Sequence, residues 1–252
     1  MLHLAKKTLP EGPARHMSAN QVATLNAGLR HHGATDVLRA ARAALPHLAL
    51  VSSFGAESIV LLHLTTMVDR DIPIIFIDTD MLFVETLIYQ QDVAERLRLR
   101  NITVIKSSDR DLRDPDKTLH RHDPDACCTL RKTAPLNKAL RPFHGWISGR
   151  KGYQSDSRAS LDFFELEENT GRIKVNPLAR WSRDDVTEYM DENRLPRHPL
   201  VALGYPSIGC APCTSHVAAG EDYRAGRWRN NDKDECGIHF MDGKMVRTGV
   251  PT

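Results

Sequence analysis

Long apolar runs are missing from this chain of 252 residues. No stretch approaches the ~20 apolar residues of a membrane-spanning helix. Residues 1–17 carry Lys6, Lys7, Arg15 and His16 but no apolar core of a secretory leader, so a cytoplasmic protein is expected. Charge of one sign is also scarce. A net charge of +2 does not announce a nucleic-acid binder, and neither a membrane nor a nucleic acid is expected as partner. There is no internal repeat, low-complexity tract or heptad run. Neither a GxxxxGK[ST] phosphate loop nor a GxGxxG dinucleotide turn occurs. What remains is ordinary globular material, 41% apolar and 26% charged, enough for a substantial core. The length suits one domain with appendages.

Cysteine is sparse but unevenly placed. Of five, Cys127 and Cys128 are adjacent, Cys210 and Cys213 form a CxxC pair, and Cys236 stands alone near the C-terminus. Adjacent cysteines can form a vicinal disulfide, a CxxC pair can be a redox dithiol, and free cysteine is a common small core residue. In a cytoplasmic chain, clustered cysteine more often signals metal or catalysis. Two close pairs can fold together into a four-thiolate site. Neighbouring thiolates suit the separate irons of a cubane better than one tetrahedral zinc ion, so the geometry favours a 4Fe–4S cluster on Cys127, Cys128, Cys210 and Cys213. His216, three residues past Cys213, reads as a neighbour of the site or an exposed residue rather than a ligand. That leaves Cys236 as a candidate nucleophile.

Short apolar strands alternate with longer helical patterns. Strands are expected at 48–53, 72–77, 102–106 and 146–148, and helices at 58–68, 83–99, 129–140 and 182–193, the last capped by Ser182. Such alternation implies a single open, mostly parallel α/β sheet with helices on both faces. Three parts follow: an N-terminal helical layer over 1–47, an α/β nucleotide-binding and iron–sulfur domain over 48–219, and a flexible C-terminal catalytic tail over 220–252.

The polar motifs fall where each strand ends. Ser53-Phe54-Gly55-Ala56-Glu57-Ser58 follows the first, Asp78-Thr79-Asp80 the second, Ser107-Ser108 the third, and Gly149 to Ser155 the fourth. In an open parallel sheet these positions share the carboxyl edge, where ligands bind. Hydroxyls, a glycine and helix N-terminal amides at 53–58 make a natural phosphate cradle, although a capped strand-to-helix turn would look alike. Basic pairs recur beside the motifs, at Arg131-Lys132, Arg150-Lys151, Arg158 and Arg224/Arg227/Arg229.

From Ser52 to His239 the sequence resembles the iron–sulfur branch of the adenylyl-sulfate (APS) and phosphoadenylyl-sulfate (PAPS) reductases, within the adenine-nucleotide α-hydrolase-like (PP-loop) fold. The resemblance rests on the 53–58 loop, Cys127-Cys128-Thr129-Leu130-Arg131-Lys132, Tyr205 to Cys213, Gly220 to Trp228, and Glu235-Cys236-Gly237-Ile238-His239. Two departures stand out. Asp80 occupies a place where the family often has glycine, putting a negative charge near the expected pocket. The Arg150–Gln154 loop also differs from the common arginine-rich version.

The resemblance implies an assimilatory APS reductase serving cysteine biosynthesis. The Cys236 thiolate would attack the sulfate sulfur, releasing AMP, and thioredoxin or a glutaredoxin-like dithiol would then release sulfite. Ser53, Phe54, Gly55, Ser58, Lys132, Arg158, Arg224, Arg227 and His239 are the implied substrate contacts. The cluster would organise the site rather than carry the electrons. Asp232, Asp234 and Glu235 surround Cys236, so its thiolate must be activated by docking against basic residues. PAPS or dual use, another PP-loop enzyme and a cluster-bearing redox sensor are the alternatives, and a homo-oligomer is compatible with the chain.

Overall fold

The computed structural model describes residues 17–155 and 158–229. Two helices open this part of the chain, α1 (Ala19–Gly28) and α2 (Ala34–Ala44). Ser18 caps α1 through a reciprocal pair with Gln21. In its described part, the helical layer expected over 1–47 is thus two helices separated by a turn.

The α/β unit follows as β1 (Leu48–Ser52), α3 (Ser58–Val68), β2 (Ile74–Ile77), α4 (Val84–Arg96) and β3 (Ile102–Ile105). Short helices α5 (Arg110–Arg113) and α6 (Leu119–His122) lead to α7 (Pro124–Cys128). A π-helical turn, Thr129–Thr133, joins α7 to α8 (Ala134–Ala139). The helix expected from Thr129 therefore begins earlier, where the Asp123 carboxylate accepts from the Ala126 amide and Pro124 fills the first turn.

Next come β4 (Gly145–Ile147), β5 (Phe164–Glu167), β6 (Arg172–Val175), α9 (Arg183–Glu192) and α10 (Pro199–Ala202). The six strands run in the order β3-β2-β1-β4-β6-β5, all parallel except the edge strand β5.

Alternate residues of the central strands feed two cores. Leu48, Leu50, Ile74 and Phe76 pack with Val37, Ile59, Val93 and Val186 of α2, α3, α4 and α9. Ala49, Ile75, Ile77 and Trp146 pack with Leu136 and Leu140 on the opposite face. Strands buried on both faces have no polar side to show, which is why they read as continuous apolar runs.

From β1 the chain winds outward to β3, then returns to place β4 on the other side of β1. This reversal opens a crevice between the carboxyl ends of β1 and β4, the usual ligand position in such sheets. Among the described residues, no helix is long and apolar enough to cross a membrane.

Candidate functional site

A cavity of about 220 Å³ occupies this crevice, lined by Ser52 and Ser53 at the end of β1 and by Ser148 and Gly149 after β4. Ser53, Gly55 and Ser58 face it. The Ser53 and Ser58 hydroxyls lie 3.3 Å apart, and the Gly55 amide donates to Ser58 Oγ at 3.0 Å. Helix α3 starts here without a side-chain cap and without an acid in its first turn, which leaves its amino end suited to an anion.

Phe54 does not join this lining. Its backbone adopts a left-handed conformation, φ 49°, and its fully buried ring packs edge-on against Phe76, 5.1 Å between centroids. The expectation that Phe54 contacts substrate is thereby corrected for its side chain, which belongs to the core. The unusual φ turns the ring inward while the loop continues along the cavity.

Glu57, Lys151, Gln154 and Arg158 form one wall. Lys151 Nζ donates to Glu57 Oε2 at 2.8 Å, and the Tyr153 hydroxyl donates to Glu57 at 3.0 Å. Burial pushes the Glu57 carboxyl up, but Lys151 and the Tyr153 hydroxyl more than offset this, leaving it below the usual range. Burial pulls the Lys151 ammonium down against the support of Glu57, and Arg158 and Arg224 add repulsion. Gln154 Oε1 accepts from Arg158. The Arg150–Gln154 loop is thus internally braced, with Arg150 tied to Glu165 and Asn176.

The opposite wall brings in the cysteine segments. Within the π-helical turn, Arg131 points inward to a buried ion pair with Asp114, while Lys132 lines the cavity. Cys210 lies beside the cavity, bridged through its backbone to Leu82, and its sulfur is 3.3 Å from the Thr79 hydroxyl. The four cysteines among the described residues are free thiols, Cys127 buried and Cys128, Cys210 and Cys213 half-buried. The Cys127 thiol is pushed up to about 12, by burial first, then by Cys128 and Cys210, against Arg131, with Cys213 adding to the rise. Both pairs therefore lie within electrostatic reach of one another. A thiol so placed gives up its proton readily only to a cation that takes the thiolate. The donor set fits a thiolate-bound group, although among the described residues no three His, Cys, Asp or Glu side chains form a ready single-ion site.

Residues 220–229, expected as the start of a flexible tail, fold back instead. Thr214 and Arg227 form a backbone bridge, the Trp228 amide donates to Cys213 O at 3.2 Å, and Arg229 pairs with Glu221 at 2.8 Å. This strap presents Tyr223, Arg224, Arg227 and Trp228 to the cavity. The Arg227 guanidinium lies over the Trp228 ring at 4.4 Å and close against Gly209, where a Cβ would collide with it.

Asp80 is not among the lining residues. Lys106 Nζ lies 2.6 Å from one of its oxygens, and Arg110 pairs with the other. Its φ of 58° is the left-handed conformation that favours glycine and that aspartate tolerates better than most residues. The charge that looked troublesome in the sequence is neutralised beside the site.

The crevice thus gathers Ser53, Gly55, Ser58, Lys132, Arg158, Arg224 and Arg227, with Cys210 at its edge. Cys236 and His239 lie outside the described residues. Glu57, Lys151, Gln154, Tyr223 and Trp228 also line it but were not among the substrate contacts expected from sequence. Each stood within a recognised segment, and position after a strand was the available signal for Lys151 and Gln154. His216 is exposed, its ring 6.1 Å from that of Tyr205.

The chain is similar to several known proteins. Residues 47–216 match the family model described as the phosphoadenosine phosphosulfate reductase domain. The adenosine 5'-phosphosulfate reductase of Chelativorans sp. (strain BNC1) is 48% identical over 195 residues, covering 77% of this chain and 79% of that protein. Its counterpart from Mesorhizobium japonicum is 44% identical, with 91% of each chain covered. A solved phosphoadenylyl-sulfate reductase from Candida auris, in complex with phosphate, superposes with a TM-score of 0.70 at 28% identity, covering 80% of this chain and 98% of that one. An FMN adenylyltransferase of Candida glabrata, at 12% identity and TM-score 0.54 over 75% of this chain and 69% of that one, shares the fold.

Proposed function

This chain belongs to the phosphoadenosine phosphosulfate reductase family, and we propose from that premise that it reduces adenylyl sulfate to sulfite and AMP in sulfate assimilation. One observation carries the reading. The strap bearing Arg224 and Arg227 closes over a phosphate-type cradle, against the CxxC segment, and leads directly into the residues that carry Cys236.

The nucleoside would sit in the crevice, with its phosphosulfate towards Lys132, Arg158, Arg224 and Arg227, whose charges would also stabilise the departing phosphate. The Cys236 thiolate attacks the sulfur. An S–S bond forms, the S–O bond to phosphate breaks, and AMP leaves with that electron pair. A thiolate of thioredoxin or a similar dithiol protein then attacks Cys236 Sγ and expels sulfite. Its second thiol resolves the mixed disulfide, so the dithiol supplies the two electrons. His239 would approach the phosphosulfate as the tail docks.

Cys127, Cys128, Cys210 and Cys213 would hold a 4Fe–4S cluster, which when bound supplies charge and rigidity beside the cavity. Arg131 and Lys132 follow Cys128 after Thr129 and Leu130, so the chain couples this cysteine segment to the substrate cations.

Adenylyl sulfate is preferred over the 3'-phosphorylated nucleotide because PAPS-only members of this family generally lack the four cysteines. Dual use is the second reading, favoured by 40% identity over 197 residues to a phosphoadenosine 5'-phosphosulfate reductase of Gloeobacter violaceus. The deciding experiment measures sulfite from each nucleotide, with thioredoxin, on anaerobically purified protein. Sulfite from adenylyl sulfate alone supports the first reading, equal rates support the second, and none from either rejects both.

A further inference from the structure

Tyr223 lies on the strap over the cavity and lines it beside Arg224. Its ring is fixed from two sides, 5.9 Å from the Tyr153 ring and 5.0 Å from the Arg183 guanidinium above it. Its hydroxyl is buried and has no hydrogen-bond partner among the described residues. Native structures leave few buried polar atoms in this state, and those that remain call for an explanation. The oxygen is shielded from bulk solvent, and the two ring contacts hold the phenol in place. Burial pushes the phenol up to about 12, with Arg224 opposing and Glu57 and Asp222 adding, so it stays a proton donor near neutral pH.

We propose that the Tyr223 hydroxyl is a substrate-binding group that donates a hydrogen bond to an oxygen of the phosphosulfate. This inference rests on the reading of the cavity as a sulfonucleotide site and adds a contact to it. Arg158 and Arg224 both act electrostatically on the phenol, so the donor stands with the cations that would hold that dianion. A neutral donor among guanidinium groups adds direction to a site where charge alone supplies attraction. The brace of Glu57 by Lys151 and Tyr153 holds the ring that Tyr223 packs against.

Tyr223→Phe keeps both ring contacts and removes only the hydroxyl, so the free protein should lose nothing. The test compares Tyr223→Phe with its parent, both as cluster-loaded full chains carrying Cys236→Ser so that bound adenylyl sulfate is not consumed. Calorimetric affinities for adenylyl sulfate and for AMP are measured with the thermal midpoint. Adenylyl sulfate should bind about 10-fold or more weakly to Tyr223→Phe, as expected for a lost hydrogen bond to a charged acceptor. The midpoint should be unchanged or higher. A matching loss for AMP would place the contact on the phosphate, and undiminished AMP binding on the sulfate end. Adenylyl-sulfate affinity within twofold of the parent would overturn the inference while leaving the cavity reading intact, whatever the midpoint does. Failure of the parent to bind either nucleotide would remove the reading and the inference together.

Discussion

The Arg131 guanidinium lies 2.7 Å from the Asp114 carboxylate, with both side chains almost wholly removed from solvent. Arg131 also donates to Thr79 O at 3.1 Å, while Asp114 accepts from the Thr118 and Leu119 amides. Thr79 in turn meets the Cys210 sulfur, and Met81 O accepts from the Ala211 amide at 2.7 Å. One buried pair therefore joins the helix bearing Cys127 and Cys128 to the turn that holds the CxxC segment. Burial pushes the Asp114 carboxyl up, and Arg131 with the two amides more than offsets it, leaving it below its usual range.

Removing one partner strands the other charge in the interior. Arg131→Met should cost about 3–5 kcal/mol, the range for breaking a buried ion pair from one side. A urea titration of the anaerobic protein reads this directly, and a loss under ~1 kcal/mol, the worth of a surface pair, would contradict it. The pair's contribution is present above the unfolded aspartate value and disappears as pH falls through the lower folded one.

Acid should weaken the protein earlier, through His198. Burial lowers this imidazole to about 4, with Glu85 opposing. Its Nδ1 accepts from the Leu200 amide at 3.2 Å, so protonation there would set two donors against each other. Nε2 then carries the hydrogen towards Thr86 Oγ1, 3.1 Å away. Below the unfolded histidine value of ~6.5 the unfolded chain takes up a proton that the fold refuses. Stability should therefore fall as pH drops from ~6.5 towards 4, by up to ~1.4 kcal/mol per pH unit. Stability against pH should be flatter in that window for His198→Ala, and an identical slope would reject the assignment.

The sequence announces β1, β2 and β4 because strands buried on both faces carry uninterrupted apolar runs, and β3, a more exposed edge strand, through its β-branched residues. It hides the β5–β6 hairpin, whose partners Glu165–Lys174 and Glu167–Arg172 are charged residues across an edge. The left-handed Gly171, φ 67°, was the turn signal available there. The ligand edge was legible from the strand ends alone. Which side chains face the cavity was not, since Phe54 and Arg131 stand in motifs yet point into the interior. Lys151 finds its counter-ion in Glu57, far away in sequence, and no local pattern names such a partner.

If the cysteine pairs hold a cluster, anaerobic protein should contain about four irons and four sulfides per chain, the content of one cubane. Serine at Cys127, Cys128, Cys210 or Cys213 should abolish it, and serine at Cys236 should not. Zinc without sulfide would refute the assignment.

Arg224 and Arg227 should matter through charge. Alanine at either should lower turnover roughly 10- to 1,000-fold, the loss of a charge-assisted contact of about 1.5–4 kcal/mol. Arg227→Ala also removes the stacking on Trp228, so its thermal midpoint should fall with its rate. Rates within about twofold of the parent, too little for such a contact, would assign both residues to the strap's packing alone.

Cys236 is the one cysteine left over from the two pairs, and it follows Arg229 of the strap by seven residues in the sequence. Reduced enzyme given adenylyl sulfate without thioredoxin should release about one AMP per site and gain one sulfonate on Cys236, as a stalled covalent intermediate requires. Thioredoxin should then liberate sulfite, because a dithiol can attack the modified sulfur. Cys236→Ser should bind the nucleotide but show neither adduct nor turnover. Intact-mass and peptide analysis locate the group. An adduct elsewhere, or full activity in Cys236→Ser, would mean that the strap delivers its arginines to the substrate without delivering a nucleophile, and that the two electrons arrive by another route.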